Sequence, residues 1–277
     1  MSAPSVRFLA IGDLMIDVVV TGCGHDAVAR LGPGGTAANA AAWAASLGAR
    51  AVVVGAVGDD AGGRLLSAEL ERYGVQPLLA IAPTERTGTF VLADGGLRVD
   101  RGANASLEPG AIPDVPEADV ALVSGYLPAP AAASALARAR ADWVLLDAAA
   151  VDELPEGGNA VLANEQQARA LTGEEPERAA RTLAERYRLA CVTLGARGAV
   201  AVLDGRQASA EPPGRSRREI PGAGDAFAAG LLVSLARGAP LADALVEGCR
   251  CGASAAAAPG WPPVRESADA ERRREEQ

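Results

Sequence analysis

Short runs of β-branched and other apolar residues alternate with longer Ala- and Leu-rich segments along almost the whole chain. This alternation limits the possible folds more than any other feature. The runs VRFLAIG (6–12), AVVVGAVG (51–58), VALVSG (120–125), WVLLDA (143–148), AVLAN (160–164), LACVTLG (189–195) and AVAVLDG (199–205) predict strands. Helices are predicted over 36–47, 61–73, 130–141, 165–172, 176–187, 225–237 and 241–257. Continuous apolar strands separated by helices imply a parallel sheet covered on both faces. The expectation is an α/β fold: a three-layer α/β/α sandwich around a mostly parallel, doubly wound sheet, with no clear internal repeat.

Two regions break the rhythm. From Asp17 the first strand continues as DVVVTG and then turns polar up to Arg30, and TGTFVLADGGLRVDRGAN (87–104) reads as two strands around the turn ADGGL. A doubly wound sheet has no use for such a hairpin. The segments at about 15–33 and 85–104 are expected to form a small β lid over one edge of the main layer; a decorative surface hairpin is the alternative.

Composition removes several functions. Aromatic residues make up only 3% of the chain, so the core must be built from Ala, Val and Leu. A net charge of −9 disfavours a nucleic-acid binder, since neutralising phosphates needs clustered cations. The absence of lysine excludes a Walker A lysine, a protein-kinase strand lysine and a lysine Schiff base. The one histidine, His25, lies in the polar loop GCGHD, where it reads as a loop residue rather than the base of a serine hydrolase. Cys249 and Cys251 form a lone C-x-C with no second pair, a poor zinc site, and no metal-ligating set can be assigned. Residues Met1 to Val20 lack the basic start and unbroken apolar stretch of a signal peptide, and no run reaches the roughly 18 residues of a membrane span. A soluble, cytoplasmic protein that meets neither membrane nor nucleic acid is expected.

Three motifs carry chemistry. In PGAGDAFAAGLL, Gly222, Ala223 and Gly224 precede a helix whose first turn holds Asp225. A helix start has unpaired N–H groups and a partial positive charge, so bare backbone there can hold an anion without lysine; Asp225 also reads as a simple cap. In LGPGGTAANAAAW, Gly34 and Gly35 precede another helix, and Asn39, one turn in, offers a donor and an acceptor suited to a hydroxyl. The run GPGGTA loosely fits a dinucleotide loop, but the acidic residue expected about 20 positions on is missing. Asp17, in DLMID at the end of the first strand, either accepts sugar hydroxyls or starts a turn.

The pieces GDLMID, GGTAANAAAWAASLGARAVVVGAVGDDAGG and PGAGDAFAAGLL, in that order, resemble the ribokinase-like sugar kinases, also called the phosphofructokinase B type. TGTFVLADGGLRVDRGAN, VTLGARGAV and ANEQQARALTG extend the resemblance over about residues 6–258. It implies a ribokinase-like kinase domain over 1–261 and a charged tail over 262–277. It implies Asp225 as the base that deprotonates a sugar hydroxyl, with Gly222, Ala223 and Gly224 cradling the transferred phosphate. Asp17, Gly34, Gly35, Asn39 and Asn104 correspond to sugar-binding positions. Asn164 begins an element that organises Mg²⁺ and phosphates, and Thr193, Gly195, Arg197 and Gly198 fall in the loop beside ATP, Arg197 facing either a phosphate or solvent.

The chain departs from that pattern at three places. Gln167 stands where the family usually has glutamate, and Glu219, Ile220 and Pro221 replace the usual residues ahead of GAGD, which leaves activation by K⁺ an open question. The segment between Asp17 and Gly34 is also short. The implied function is an ATP-dependent kinase of a small sugar or sugar-like molecule, with a homodimer through the lid as the family's common arrangement. A nucleoside kinase of the same family, or an impaired sensor that binds sugar or nucleotide without turnover, are the alternatives. A nicotinamide-dependent oxidoreductase rests on GPGGTA alone.

Overall fold

The computed structural model describes residues 5–93, 96–149, 153–213, 222–257 and 262. Nine strands among them form the main sheet: β1 (Arg7–Ile11), β4 (Arg50–Gly58), β5 (Val75–Ala82), β8 (Val120–Ser124), β9 (Trp143–Asp147), β10 (Ala160–Asn164), β11 (Leu189–Thr193), β12 (Ala199–Leu203) and β13 (Arg206–Ala210). Their spatial order is β13-β12-β11-β10-β9-β8-β1-β4-β5. Pairing is parallel from β11 through to β5, and only the β11–β12 and β12–β13 pairs are antiparallel.

Strands in such a sheet must be apolar on both faces, and these are. Along β1, Phe8 and Ala10 enter one core while Leu9 and Ile11 enter another; along β10, Ala160 and Leu162 face one way and Val161 and Ala163 the other. Helices α1 (Thr36–Ser46), α2 (Ala61–Arg72), α6 (Ala223–Ala236) and α7 (Leu241–Ala257) cover the first face. Helices α3 (Ala129–Arg138), α4 (Glu165–Thr172) and α5 (Pro176–Ala184) cover the second. The sandwich expected from the alternation is present. No helix among the described residues is long and apolar enough to cross a membrane.

Helix α6 is apolar on every side because it lies sandwiched, with Ala226 through Leu235 all buried, as a helix without a wet face must be. Its neighbour α1 is nearly all alanine on the contact side, so small side chains let the two axes approach. Helix α2 starts at Asp60, whose carboxylate accepts the Gly63 N–H at 2.8 Å.

The second, smaller sheet has the order β3-β2-β6-β7, from β2 (Met15–Thr21), β3 (Val28–Gly34), β6 (Gly88–Ala93) and β7 (Gly96–Asp100). It unites the two regions that broke the rhythm of the sequence. β2 pairs antiparallel with β3 and parallel with β6, and β6 pairs antiparallel with β7; Asp94 and Gly95 of the expected turn lie outside the described residues.

Three strands were not anticipated. β5 contains Pro77, β13 reads RQASA, and β3 ends in Gly-Pro-Gly. All three lie at sheet edges, where one side of the backbone has no ladder partner to supply and proline or polar residues are tolerated. Helix α6 begins at Ala223, two residues before the expected start, while α3 and α5 end at Arg138 and Ala184, each three residues early.

Candidate active site

Parallel strands all point their carboxyl ends to one edge of the sheet, and ligands in open α/β sheets bind there, at the point where successive connections turn in opposite directions. From β1 the chain proceeds to β4 on one side and later returns to β8 on the other, so that point lies between β1 and β8. The first polar residues beyond the strands gather along this edge: Asp13 after β1, Ser124 on β8, Asp147 on β9, Asn164 on β10 and Thr193 on β11.

Asp13 and Ser124 meet at the crossover point. Asp13 is buried, its Oδ1 accepting the Ser124 hydroxyl at 2.7 Å and its Oδ2 accepting the Thr36 N–H at 3.1 Å. The glycine pair ahead of α1 makes this possible. A Cβ on Gly35, where φ is 88°, would lie 2.3 Å from the Asp13 carbonyl oxygen, and one on Gly34 would overlap the Asp17 carboxylate at 1.7 Å. The glycines therefore first of all admit the chain's own aspartates, which brings Asp17, Gly34 and Gly35 into one corner.

Asp225 lies in the first turn of α6, half-buried, facing α1. Its Oδ2 accepts from Asn39 Nδ2 at 2.9 Å, and the Thr36 hydroxyl donates to it as well. Burial and the nearby Asp13 charge push its carboxyl up to about 7, against the opposing pull of the Asn39 and Thr36 hydrogen bonds. Asp147 is displaced in the same direction, well above the usual carboxylate range, by burial and then by the charges of Asp225 and Asp13.

Asp225 is not the cap of its helix. The N-cap is Gly222, at φ 93°, with no side-chain cap among the described residues, and the first backbone bond of the helix runs from Ala226 N–H to the Gly222 carbonyl. The N–H groups of Ala223, Gly224 and Asp225 thus point forward from the helix end, and a Cβ on Gly224 would meet nothing within 4 Å among the described residues. An uncapped helix start facing open space suits the phosphates of a nucleotide. Glu219, Ile220 and Pro221, which precede it, lie outside the described residues, as do Trp261 and residues 263–277.

Asn104 lies apart from the others. It is fully buried, its Oδ1 accepting the Leu14 N–H at 2.9 Å and its Nδ2 donating to the Leu14 and Arg101 carbonyls at 2.8 and 2.9 Å. With both amide protons engaged by backbone, it clasps the foot of the small sheet to the link after β1.

Farther along the edge, Asn164 caps α4 in a reciprocal box: its Oδ1 accepts the Gln167 N–H at 2.8 Å and its own N–H reaches Gln167 Oε1 at 2.7 Å. Gln167 Nε2 also donates to the Ala149 carbonyl at 3.0 Å, which a glutamate cannot do. Thr193 lies beside Asn164 in the β10–β11 register. Gly195 and Gly198, at φ 58° and 93°, shape the tight turn that follows, closed by Leu194 N–H to the Gly198 carbonyl at 2.7 Å. The Arg197 guanidinium, largely exposed, pairs with Glu165 at the start of α4. No group of three or more His, Cys, Asp or Glu among the described residues could hold a metal ion.

The sequence reading missed Asp13, Thr36, Ser124 and Asp147. Each stands where an apolar run first turns polar at a strand end or just after the glycine pair, and that position is the signal that would have found them.

Comparison with known proteins agrees with this fold. The chain is 30% identical over 282 aligned positions to the bifunctional protein HldE of Caulobacter sp. (strain K31), a match covering 85% of this chain and only 56% of that protein. Two solved structures share the fold. An adenosine kinase from Sinorhizobium meliloti has a TM-score of 0.75 at 24% identity, covering 99% of this chain and all of the other. A fructokinase from Vibrio cholerae, bound to fructose, ADP and a potassium ion, has a TM-score of 0.78 at 24% identity, covering 95% of this chain and 96% of the other. The family model of the pfkB family carbohydrate kinases matches residues 7–261, nearly the whole chain, so the protein belongs to that family of phosphotransferases with an alcohol group as acceptor.

Proposed function

We propose that this protein is an ATP-dependent kinase that phosphorylates a hydroxyl of a small sugar or sugar-like molecule, with Asp225 as general base. One observation carries the reading: Asp225 sits at an uncapped helix start, held by Asn39 and Thr36, with its carboxyl near neutrality. A base poised there is deprotonated at working pH yet still able to accept a proton.

In this reading the acceptor lies in the corner formed by Asp17, Gly34, Gly35 and Asn39, under the small sheet. Asp225 takes the proton of the attacking hydroxyl. The N–H groups of Ala223, Gly224 and Asp225 hold charge developing on the transferred phosphoryl group, the role that lysine has in other kinases. Asn164 and the Thr193–Gly198 loop flank the nucleotide, and Arg197 exchanges Glu165 for solvent or phosphate when ATP enters. Mg²⁺, bound with the nucleotide, neutralises phosphate charge. Asn104 acts by anchoring the lid rather than by touching sugar.

The test is ADP release with ATP and Mg²⁺ over a panel of ribose, fructose, keto-sugar acids and nucleosides, with and without K⁺, alongside binding measured by calorimetry. The nucleoside arm follows from the likeness to an adenosine kinase fold. Turnover of one acceptor is expected, with kcat/KM rising as pH passes through about 7 and levelling off above it, because the raised Asp225 carboxyl must lose its proton to act. Binding without ADP release for every acceptor would make the protein a sensor instead.

Association of two copies through the lid belongs to the same reading. Val28 and Leu31 on β3 and Leu97 and Val99 on β7 are each about half exposed, and both strands are edges of the small sheet. Sedimentation is expected to give a dimer for the natural chain and a monomer for the Leu31→Asp/Val99→Asp double variant.

A further inference from the structure

A buried carboxylate in the middle of this site has no role in the reading above. Asp13 is 3% exposed, and both of its oxygens are used within the protein. Its oxygens are turned to Ser124 and Thr36, whereas the Asp17 carboxylate lies against Gly34. Burying an ionised group weakens a fold unless its partners compensate, and here two donors do so; an asparagine could accept at only one of the two positions and would meet Ser124 with the bond reversed, its Nδ2 donating to the hydroxyl oxygen.

The surroundings show what it is tied to. Its Oδ2 holds the Thr36 N–H, the first residue of α1, while the Thr36 hydroxyl and the Asn39 amide one turn later bond Asp225. Its Oδ1 holds Ser124, whose oxygen also accepts the Tyr126 N–H at 3.2 Å, and the Tyr126 carbonyl accepts from Arg101 at the end of the small sheet. The junction is tight: a Cβ on Gly12 would lie 2.5 Å from Ser124 Cβ and 3.1 Å from Ala37 Cβ. One continuous set of hydrogen bonds therefore runs from the lid's end through Ser124 and Asp13 to the start of α1, and from there to Asp225.

We propose that Asp13 is a positioning residue for Asp225: it fixes the start of α1, and with it Thr36 and Asn39, while its negative charge faces the reacting carboxylate across the crossover point. The proposal rests on the kinase reading above. The groups that face Asp225 are Thr36 and Asn39 from α1, Asp13 from the link after β1, Asp147 from the end of β9 and the Tyr126 phenol beyond β8. Asp13 and Asp147 are negative when ionised and the hydrogen-bonding groups of α1 are neutral. Removing the Asp13 charge therefore makes Asp225 a weaker base. The displaced titrations of Asp225, Asp147 and Tyr126 each include an Asp13 contribution of the same sign.

Asp13→Asn keeps the shape and can keep the Thr36 contact through its oxygen, removes the charge, and reverses the Ser124 bond so that Nδ2 donates to the hydroxyl oxygen. Two readouts on the full chain are expected to move together. The acid limb of kcat/KM shifts to lower pH with kcat reduced roughly 10- to 100-fold, and the titration midpoint of the Asp225 carboxyl, followed by carbon NMR and assigned with Asp225→Asn, also falls. Ser124→Ala keeps the charge and loosens its tether, so it is expected to lower kcat without moving the limb to lower pH. An unchanged limb and midpoint in Asp13→Asn, with only a lower melting temperature, would mean a purely structural role and overturn the proposal. Should Asp13→Asn not fold, wild-type kcat in Ser124→Ala overturns it. The NMR midpoint needs no turnover, so the absence of ADP release with every acceptor would sink the kinase reading separately from this one.

Discussion

Asp225→Asn is expected to bind the acceptor with near-normal affinity and to lose turnover by roughly 10²- to 10⁴-fold, the range that a positioned general base supplies. The amide keeps the size of the side chain and can rotate to place its oxygen toward Asn39 Nδ2, so the contact that orients it at 2.9 Å need not be lost. It cannot take up a proton. The measurement is ADP release compared with calorimetric binding of the same acceptor; a variant with near-normal kcat would remove Asp225 from the chemistry. The rise in activity around pH 7 should disappear with the carboxyl that causes it.

Gly224→Val is the second large effect. A Cβ at this position meets no atom within 4 Å among the described residues, and the residue is already helical, so the fold should tolerate the substitution. The added branches fill the space in front of the Ala223, Gly224 and Asp225 N–H groups, where the transferred phosphoryl group is proposed to lie. A loss of at least 10²- to 10³-fold in kcat is expected, about what removal of a preorganised backbone donor costs in other enzymes. Circular dichroism should be unchanged. A fully active Gly224→Val protein would show that the helix start does not cradle phosphate.

The layers of the fold were legible because parallel strands buried on both faces leave unbroken apolar runs, and every run read as a strand is one. β3, β5 and β13 were not legible for the complementary reason. An edge strand satisfies only one ladder, so RQASA and a strand containing Pro77 carry no apolar signature. The site divides in the same way. Gly34, Gly35, Asn39 and Asp225 could be read from glycine placed before a helix, a local pattern. That Asn39 and Asp225, 186 positions apart, share a hydrogen bond depends on how closely α1 and α6 pack. Likewise Asp13, Ser124 and Asp147 become neighbours only because β1, β8 and β9 are adjacent in the sheet order. The contacts of Gln167 and Asn104 were hidden for another reason: each bonds to backbone carbonyls, which leave no trace in residue identity.

The alanine-lined seat of α1 has a practical consequence. Amid those small side chains the helix carries one large ring, Trp43, 4% exposed and a single turn beyond Asn39. The indole rides on the same rigid rod as the amide that grips Asp225. Its fluorescence, separated from that of Trp143 and Trp261 by subtracting a Trp43→Phe spectrum, is thus a built-in optical gauge of how that rod shifts as the cleft fills.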